Sequence, residues 1–253
     1  MAKTIEIRNL TLGEGLPKIC VPIVGSNKEE ILKAAQAIVR CRPDMAEWRA
    51  DYLPQVCDFA QTEELLKELR VILGELPLLF TFRTAEEGGE QEITKEAYTA
   101  LYKKVIKSHL ADAVDVELFL GEKLVTELIA YAQENGVKVI VSNHDFTKTP
   151  PKEELVLRLS AMQRLGADVA KIAVMPADKK DVLTLLEATQ EVACSNCGPV
   201  ITMSMGGCGM VSRLLGETFG SALTFAMAGR ASAPGQIPVE ELRQILEIIH
   251  RHS

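Results

Sequence analysis

The sequence predicts an α/β fold in which eight parallel strands close into one (β/α)₈ barrel. Three observations carry this expectation. The chain has 253 residues, close to the roughly 250 typical of one such barrel. Short apolar runs alternate with helical patterns eight times, at a spacing of roughly 30 residues, the length of one strand–helix unit. The first strand-to-helix turn, Gly25-Ser26-Asn27-Lys28, lacks the glycine fingerprint that would mark a dinucleotide-binding open sheet. No linker or low-complexity segment interrupts the pattern, so residues 1–253 count as one domain.

Taken in order, residues 4–13 alternate and reach a Gly-rich turn, which reads as a β-hairpin outside the repeat. The barrel proper spans about residues 18–253. Its first strand is Lys18–Gly25, and Ser26-x-x-Glu29 is read as a capping box opening a helix to about Arg40. Asp44–Arg49 is a strand, Thr62–Leu73 a helix, Leu78–Arg83 a strand and Lys95–Ser108 a helix. Ala113–Leu118 is followed by the helix Glu122–Asn135, closed by Gly136, a good residue just past a helix end. Val137–Ser142 precedes the helix Lys152–Leu165, and Asp168–Val174 precedes the helix Lys179–Cys194. Pro199–Ser204 leads to a short helix near Arg213, Ser221–Met227 is the eighth strand, and Val239–His250 is the last helix.

Composition narrows the function. The chain is 47% hydrophobic and 25% charged, an ordinary globular balance. No apolar run approaches the roughly 18 residues of a membrane span, and the N-terminal residues carry no apolar signal core. The expected compartment is the cytoplasm. A net charge of −7 without a basic tail makes nucleic acid an unfavoured partner. An anionic substrate would therefore need a local cluster of cations. Six cysteines are scattered, and Cys194-Ser195-Asn196-Cys197 is a lone CxxC without a second pair, so neither a metal nor a redox role is expected.

Lys171 lies inside the apolar run Ala167–Val174. Lysine is rarely buried unless paired or used. Burial disfavours the ammonium form, and a neutral amine is the nucleophile of Schiff-base chemistry. The plainer reading is a lysine at the end of its strand, reaching water. The ends of the other strands decide between these readings, because the C-terminal face of such a barrel carries the active site. Glu47, Arg49 and Asp51 share one face by their spacing of two. Arg83 is followed by Glu86 and Glu87, and Asp115 and Glu117 again lie two apart. Ser142-Asn143-His144-Asp145 ends the fifth strand, next to the strand of Lys171. Any one strand-end charge is most simply structural. Acids, bases and cations at so many ends together point to a site. His144 alone among four histidines follows a strand, and imidazole moves protons near neutral pH with little tuning. Arg49, Arg83 and Arg213 supply cations with the fork geometry that suits a carboxylate, although some of them also brace Glu47 and Asp51.

As a set, these residues resemble the type I 3-dehydroquinate dehydratases. The resemblance rests on Met45-Ala46-Glu47-Trp48-Arg49-Ala50-Asp51, Phe82-Arg83-Thr84-Ala85-Glu86-Glu87-Gly88-Gly89, Val114-Asp115-Val116-Glu117-Leu118, Ser142-Asn143-His144-Asp145-Phe146, Ala170-Lys171-Ile172-Ala173, Thr202-Met203-Ser204-Met205-Gly206, Ser212-Arg213-Leu214, Phe219-Gly220-Ser221 and Ala231-Ser232-Ala233-Pro234-Gly235-Gln236. It implies a (β/α)₈ TIM barrel with the N-terminal β-hairpin closing its base. It implies dehydration of 3-dehydroquinate to 3-dehydroshikimate in the shikimate pathway of aromatic amino-acid biosynthesis, in a cytoplasmic homodimer and without metal or organic cofactor. Lys171 would form the Schiff base, His144 would donate and accept protons, and Glu87 would support His144. Glu47, Arg49, Arg83, Arg213, Ser232 and Gln236 would hold the substrate, and Met203, Met205 and Phe225 would wall the pocket. One departure is Gly206-Gly207-Cys208-Gly209-Met210, richer in glycine than the family pattern after the seventh strand. Two alternatives stand beside this reading. One is a class I Schiff-base aldolase, with that glycine segment as a phosphate site. The other is a catalytically silent barrel that binds or exchanges electrons through Cys194 and Cys197.

Overall fold

Alternating residues of each strand divide the barrel into an apolar outer face and a two-layered interior. The structure is a computed structural model and describes residues 3–195, 197–229 and 233–252. A two-stranded antiparallel hairpin comes first, β1 (Ile5–Ile7) and β2 (Leu10–Leu12). The repeat then runs β3 (Lys18–Ile23), α1 (Lys28–Cys41), β4 (Met45–Arg49), α2 (Phe59–Leu73), β5 (Leu78–Thr81), α3 (Lys95–Ser108), β6 (Ala113–Glu117) and α4 (Glu122–Glu134). It continues through β7 (Lys138–Asp145), α5 (Lys152–Arg164), β8 (Val169–Val174), α6 (Lys179–Ala193), β9 (Val200–Ser204), α7 (Gly206–Leu214), α8 (Gly216–Phe219), β10 (Leu223–Phe225) and α9 (Val239–Arg251). The eight strands pair in parallel in the order β10-β3-β4-β5-β6-β7-β8-β9. A parallel bridge between Val200 and Ser221 brings β9 against the segment entering β10 and closes the ring.

The outward set includes Val21, Ala46, Phe80, Val114, Val141 and Ile172, all buried under the helices. This is why the strands read as continuous apolar runs: a parallel sheet is covered on both faces. The inward set is wholly apolar near the base. There Cys20, Met45, Leu79, Ala113, Ile140, Val169, Ile201 and Leu223 cluster with Ile5, Ile7, Leu10 and Leu12 of the hairpin. The hairpin thus plugs the N-terminal end of the barrel. One inward step higher stand Glu47, Thr81, Asp115, Ser142 and Lys171, all buried and polar. The plug excludes water from below, so this layer opens only at the C-terminal face.

Element boundaries differ from the sequence expectations in instructive ways. The residue capping α1 is Asn27, not Ser26: its side chain accepts from the backbone of Glu30 at 3.0 Å, and the Glu30 carboxylate reaches back to the Ser26 amide at 2.8 Å. The capping pair is shifted by one residue because an adjacent Ser-Asn and an adjacent Glu-Glu offer two equivalent spacings. Asp58 caps α2, which therefore begins at Phe59 rather than Thr62. β10 is shorter than expected, because Met227 leaves the sheet to pair with the chain near Pro238. β7 is longer, running through His144 and Asp145 in register with Ala173 and Val174 of β8. The glycine-rich segment after β9 forms the start of α7. A Cβ on Gly209 would sit 2.4 Å from the backbone of Ser204, so glycine permits this helix to lie directly on the strand end. Among the described residues, no helix is long and apolar enough to cross a membrane. Cys194 and Cys197 are exposed free thiols just after α6.

Candidate active site

Asp115 is the hub of the polar layer. Its Oδ1 accepts from Arg83 Nη2 at 2.7 Å and from the Ser142 hydroxyl at 2.5 Å, and its Oδ2 accepts from Lys171 Nζ at 2.8 Å. Burial alone would raise this carboxyl, but Arg83 and Lys171 beside it hold it well below the usual carboxylate range. Its backbone is fixed from outside: the Tyr102 hydroxyl donates to the Asp115 carbonyl at 2.5 Å while accepting from the Phe82 amide at 3.1 Å. Tyr102 in turn packs edge-on against Phe80, which packs edge-on against Trp48. The aromatic core between β4, β5 and α3 therefore sets the height of the acid beneath the lysine.

Lys171 is 3% exposed. Besides Asp115, its nitrogen lies 3.8 Å from Glu47 and 4.7 Å from the centre of the Phe225 ring. This corrects the picture of an amine in an apolar pocket. The apolar neighbours in its own strand face the helices, whereas the interior it enters is lined by acids from other strands. Glu47 is held by the Thr81 hydroxyl at 2.9 Å.

Three arginines differ in what they already hold. Arg49 grips Asp51 through two parallel bonds of 2.8 Å, and Asp51 also accepts from the backbone of Arg83 and of Glu90, each at 3.2 Å. Arg83 spends Nη1 on Glu117 at 2.8 Å and on Ser142 at 3.0 Å, and Nη2 on Asp115. Its guanidinium is thus a brace for the acids of β6. Arg213 is different. It is buried, and among the described residues it forms no ion pair; its terminal nitrogens reach only carbonyl oxygens of Phe225 and Pro234 and the Met203 sulfur, and its Nε has no partner. Burial alone pulls it down to about 10. An unpaired buried guanidinium is costly unless a ligand anion completes it.

Glu87 sits on a single 3-10 turn, Ala85–Glu87, just past β5. The return of the chain needs glycine at 89, where a Cβ would lie 1.9 Å from the Arg83 carbonyl oxygen. Glu87 Oε2 accepts from the backbone N–H of His144 and meets His144 Nδ1, both at 2.9 Å. When Glu87 is ionised, Oε2 accepts from both groups, so Nδ1 carries the ring proton and Nε2 is left as the base. Burial pushes Glu87 up to about 8, helped by Glu117 and opposed by Arg83, Asn143 and the His144 amide. Burial also lowers His144 well below the ordinary histidine value, with Arg83 and Lys171 adding to it. Both shifts have one cause: the interior resists charge on either partner, which poises the pair to pass a proton rather than to store a charge.

One cavity at the C-terminal face is lined by Glu47, Arg49, Arg83, Glu87, His144, Lys171, Met203, Met205, Arg213, Phe225 and Gln236. A model of the family described as type I 3-dehydroquinase matches residues 19–253. The chain belongs to the type I 3-dehydroquinases. It is 50% identical over 252 residues to the 3-dehydroquinate dehydratase of Clostridioides difficile (strain 630), covering 99% of each chain. It is 51% identical over 247 residues to that of Listeria monocytogenes serotype 4a (strain HCC23), covering 98% of each. A crystal structure of type I 3-dehydroquinate dehydratase from Clostridium difficile, with covalently modified comenic acid, is similar with a TM-score of 0.97 at 50% identity over 100% of both chains.

For this type I 3-dehydroquinase, every candidate residue read from the sequence lines that one cavity except Ser232, which lies outside the described residues. Sequence reading misses others. Phe146 and Ala233 also line the cavity. Asp115 and Glu117 read in the sequence only as acids two apart; their role as the anchors of Lys171 and Arg83 depends on cross-strand register. Asn143 donates to Glu87 at 3.2 Å and accepts from Arg158 of α5 at 2.7 Å, and no motif in the sequence signals Arg158.

Proposed function

We propose that this chain is a hydro-lyase that dehydrates 3-dehydroquinate to 3-dehydroshikimate, in the shikimate pathway, through an imine on Lys171. The observation that carries the reading is the pairing, in one cavity, of a buried amine with a buried arginine lacking any acid partner among the described residues. A keto acid satisfies both: its carboxylate completes Arg213, and its ketone meets Lys171. The family match displaces the aldolase and the silent thiol barrel as alternatives.

The steps follow from the residues. Lys171 must yield a proton before it attacks; Glu47 lies 3.8 Å from its nitrogen to receive it, whereas Asp115, held ionised by Arg83, positions the amine. Its nitrogen adds to the C3 carbonyl carbon, and loss of water gives the iminium. A neutral ketone acidifies its α-carbon modestly, whereas an iminium draws the electron pair strongly toward nitrogen where charge develops. His144 Nε2 takes the C2 proton, leaving an enamine. The enamine pair then expels the C1 hydroxyl, which leaves as water with the proton His144 carries. A further water hydrolyses the conjugated imine and frees Lys171. Glu87 keeps Nδ1 oriented and, when ionised, offsets the positive charge while His144 is protonated. Glu47, Arg49, Arg83, Ser232 and Gln236 would hold the ring hydroxyls and carboxylate, and Met203, Met205 and Phe225 would form the apolar wall. The balance needs no metal or organic cofactor.

The test has two readings. Addition of 3-dehydroquinate should raise the ultraviolet absorbance of a conjugated enone, and borohydride added during turnover should fix a mass adduct on Lys171. No absorbance rise rejects the activity; an adduct on another lysine rejects the assigned nucleophile. We also propose a cytoplasmic homodimer in which residues 1–253 act as one unit, with the net charge of −7 disfavouring nucleic acid. Light scattering giving a particle of 27.7 kDa would reject the dimer.

A further inference from the structure

We propose that Arg158, on α5 outside the barrel, is a positioning residue for the proton-passing pair: it locks the Asn143 amide so that its NH₂ group faces Glu87. The inference rests on the reading of Glu87 and His144 given above. Arg158 Nη1 donates to Asn143 Oδ1 at 2.7 Å. A guanidinium has donors only, so the amide can show it nothing but its oxygen. The opposite end of the amide then points inward, and its nitrogen donates to Glu87 Oε1 at 3.2 Å. That bond favours the ionised carboxylate, because an NH₂ group has no lone pair to accept a proton from a carboxylic acid. Freed of Arg158, the amide can turn over and present Oδ1 to Glu87, which favours the protonated acid instead. A helix residue thereby sets the protonation preference of a catalytic carboxyl it does not touch.

The rest of Arg158 is held for this task. It forms an ion pair with Glu154 one turn earlier on α5, and its guanidinium lies 5.2 Å from the centre of the Phe119 ring. Arg158 and Asn143 line a second cavity of about 170 Å³ on the far side of Glu87 and His144. The pair is therefore a wall between two cavities, and the amide is reached from the outer one. The charged groups around Glu87 are Arg83 at 3.7 Å, Glu117 of β6, Glu86 on its own turn, His144 and Asp145 of β7, and Arg158 with Glu154 from α5. Lys171 and Asp115 act on it through His144. All except Arg158 and Glu154 stay in place in the variants below.

Difference infrared spectroscopy of the substrate-free protein reads the titration of Glu87, assigned by the band that Glu87→Gln removes. In Arg158→Met the midpoint should rise by about one pH unit, the size of one hydrogen bond to a charged group. Arg158→Lys, which can still donate to Oδ1, should bring it back toward the parent. Glu154→Gln and Phe119→Leu remove the other contacts of Arg158 and should leave it unmoved. In an Asn143→Ala background, Arg158→Met should produce no additional shift, since the path through the amide is gone. An unmoved midpoint in folded Arg158→Met overturns the proposal, as does an equal shift in Glu154→Gln or a full shift surviving in Asn143→Ala. Should Arg158→Met fail to fold, Asn143→Ala alone reads the same bond, and a midpoint that does not rise overturns it. The acid limb of kcat should move with the midpoint. Because the infrared reading needs no substrate, a parent protein that forms no enone would reject the dehydratase reading and leave this result standing apart from it.

Discussion

Lys171→Met should abolish turnover, lowering kcat by about 10⁴-fold or more, equal to about 5–6 kcal/mol of barrier. Methionine fills much the same space without an amine, so the iminium that draws electrons from C2 cannot form. His144 would then face a plain ketone, whose α-proton is far less acid. Arg213 still faces the cavity without an acid partner among the described residues, so binding of the substrate carboxylate should survive. Calorimetric affinity should fall far less than kcat, which separates lost chemistry from lost binding. Borohydride should no longer leave an adduct. The fold should feel the change as well. Asp115 loses the donor at 2.8 Å but keeps Arg83 and Ser142, so the cost is about 1–3 kcal/mol rather than that of a stranded charge. Turnover within tenfold of the parent would remove Lys171 from the mechanism.

Lys171 also shows how far the sequence can be read. Its burial is legible, because an apolar run of strand length places its middle residues inside a parallel sheet whatever their type. Its surroundings are not. Ala170, Ile172 and Val174 face the helices, and the partner that touches its nitrogen is Asp115, two strands away and 56 positions earlier. Only the register of β6, β7 and β8 brings the two together, and register follows from the closing of the whole barrel. The same reason hides the use of Arg83, which reads from its place at a strand end as a cation for a carboxylate ligand yet braces Asp115 and Glu117. The partnership of Glu87 with His144 is legible only through the family resemblance, since β6 and the body of β7 separate them in the chain. The Arg158–Asn143 support lies beyond reach, because a helix face turned toward a strand end carries no local signature. His144 reads as a residue just past its strand, since polar residues there suggest a loop. The structure extends β7 through it, and ladder pairing with β8 is what fixes the backbone N–H aimed at Glu87.

His144→Ala should divide the reaction in two. The imine should still form, because Lys171 and its carboxylates are untouched, and borohydride should still mark Lys171. Turnover should fall by about 10²–10⁴-fold, the usual worth of a positioned acid–base group. The trapped adduct should carry the mass of the substrate imine before loss of the C1 hydroxyl, since the proton at C2 has no acceptor. A product-derived adduct at normal yield would remove His144 as the base. Stability should respond in the opposite direction from activity at low pH. Burial depresses the folded-state value of His144 below its ordinary 6.5. Its contribution is therefore fully present above the unfolded value and is lost as pH falls through it toward the folded one. Below about pH 6.5 the unfolded parent binds a proton at this histidine that the folded parent refuses. The alanine variant lacks that drain, so its stability relative to the parent should improve between neutral and acidic pH. Denaturant melts at about pH 7.5 and about pH 5, on either side of the ordinary histidine value, would read it. A relative stability that does not change with pH would mean that the folded interior lets His144 take up a proton as readily as water does.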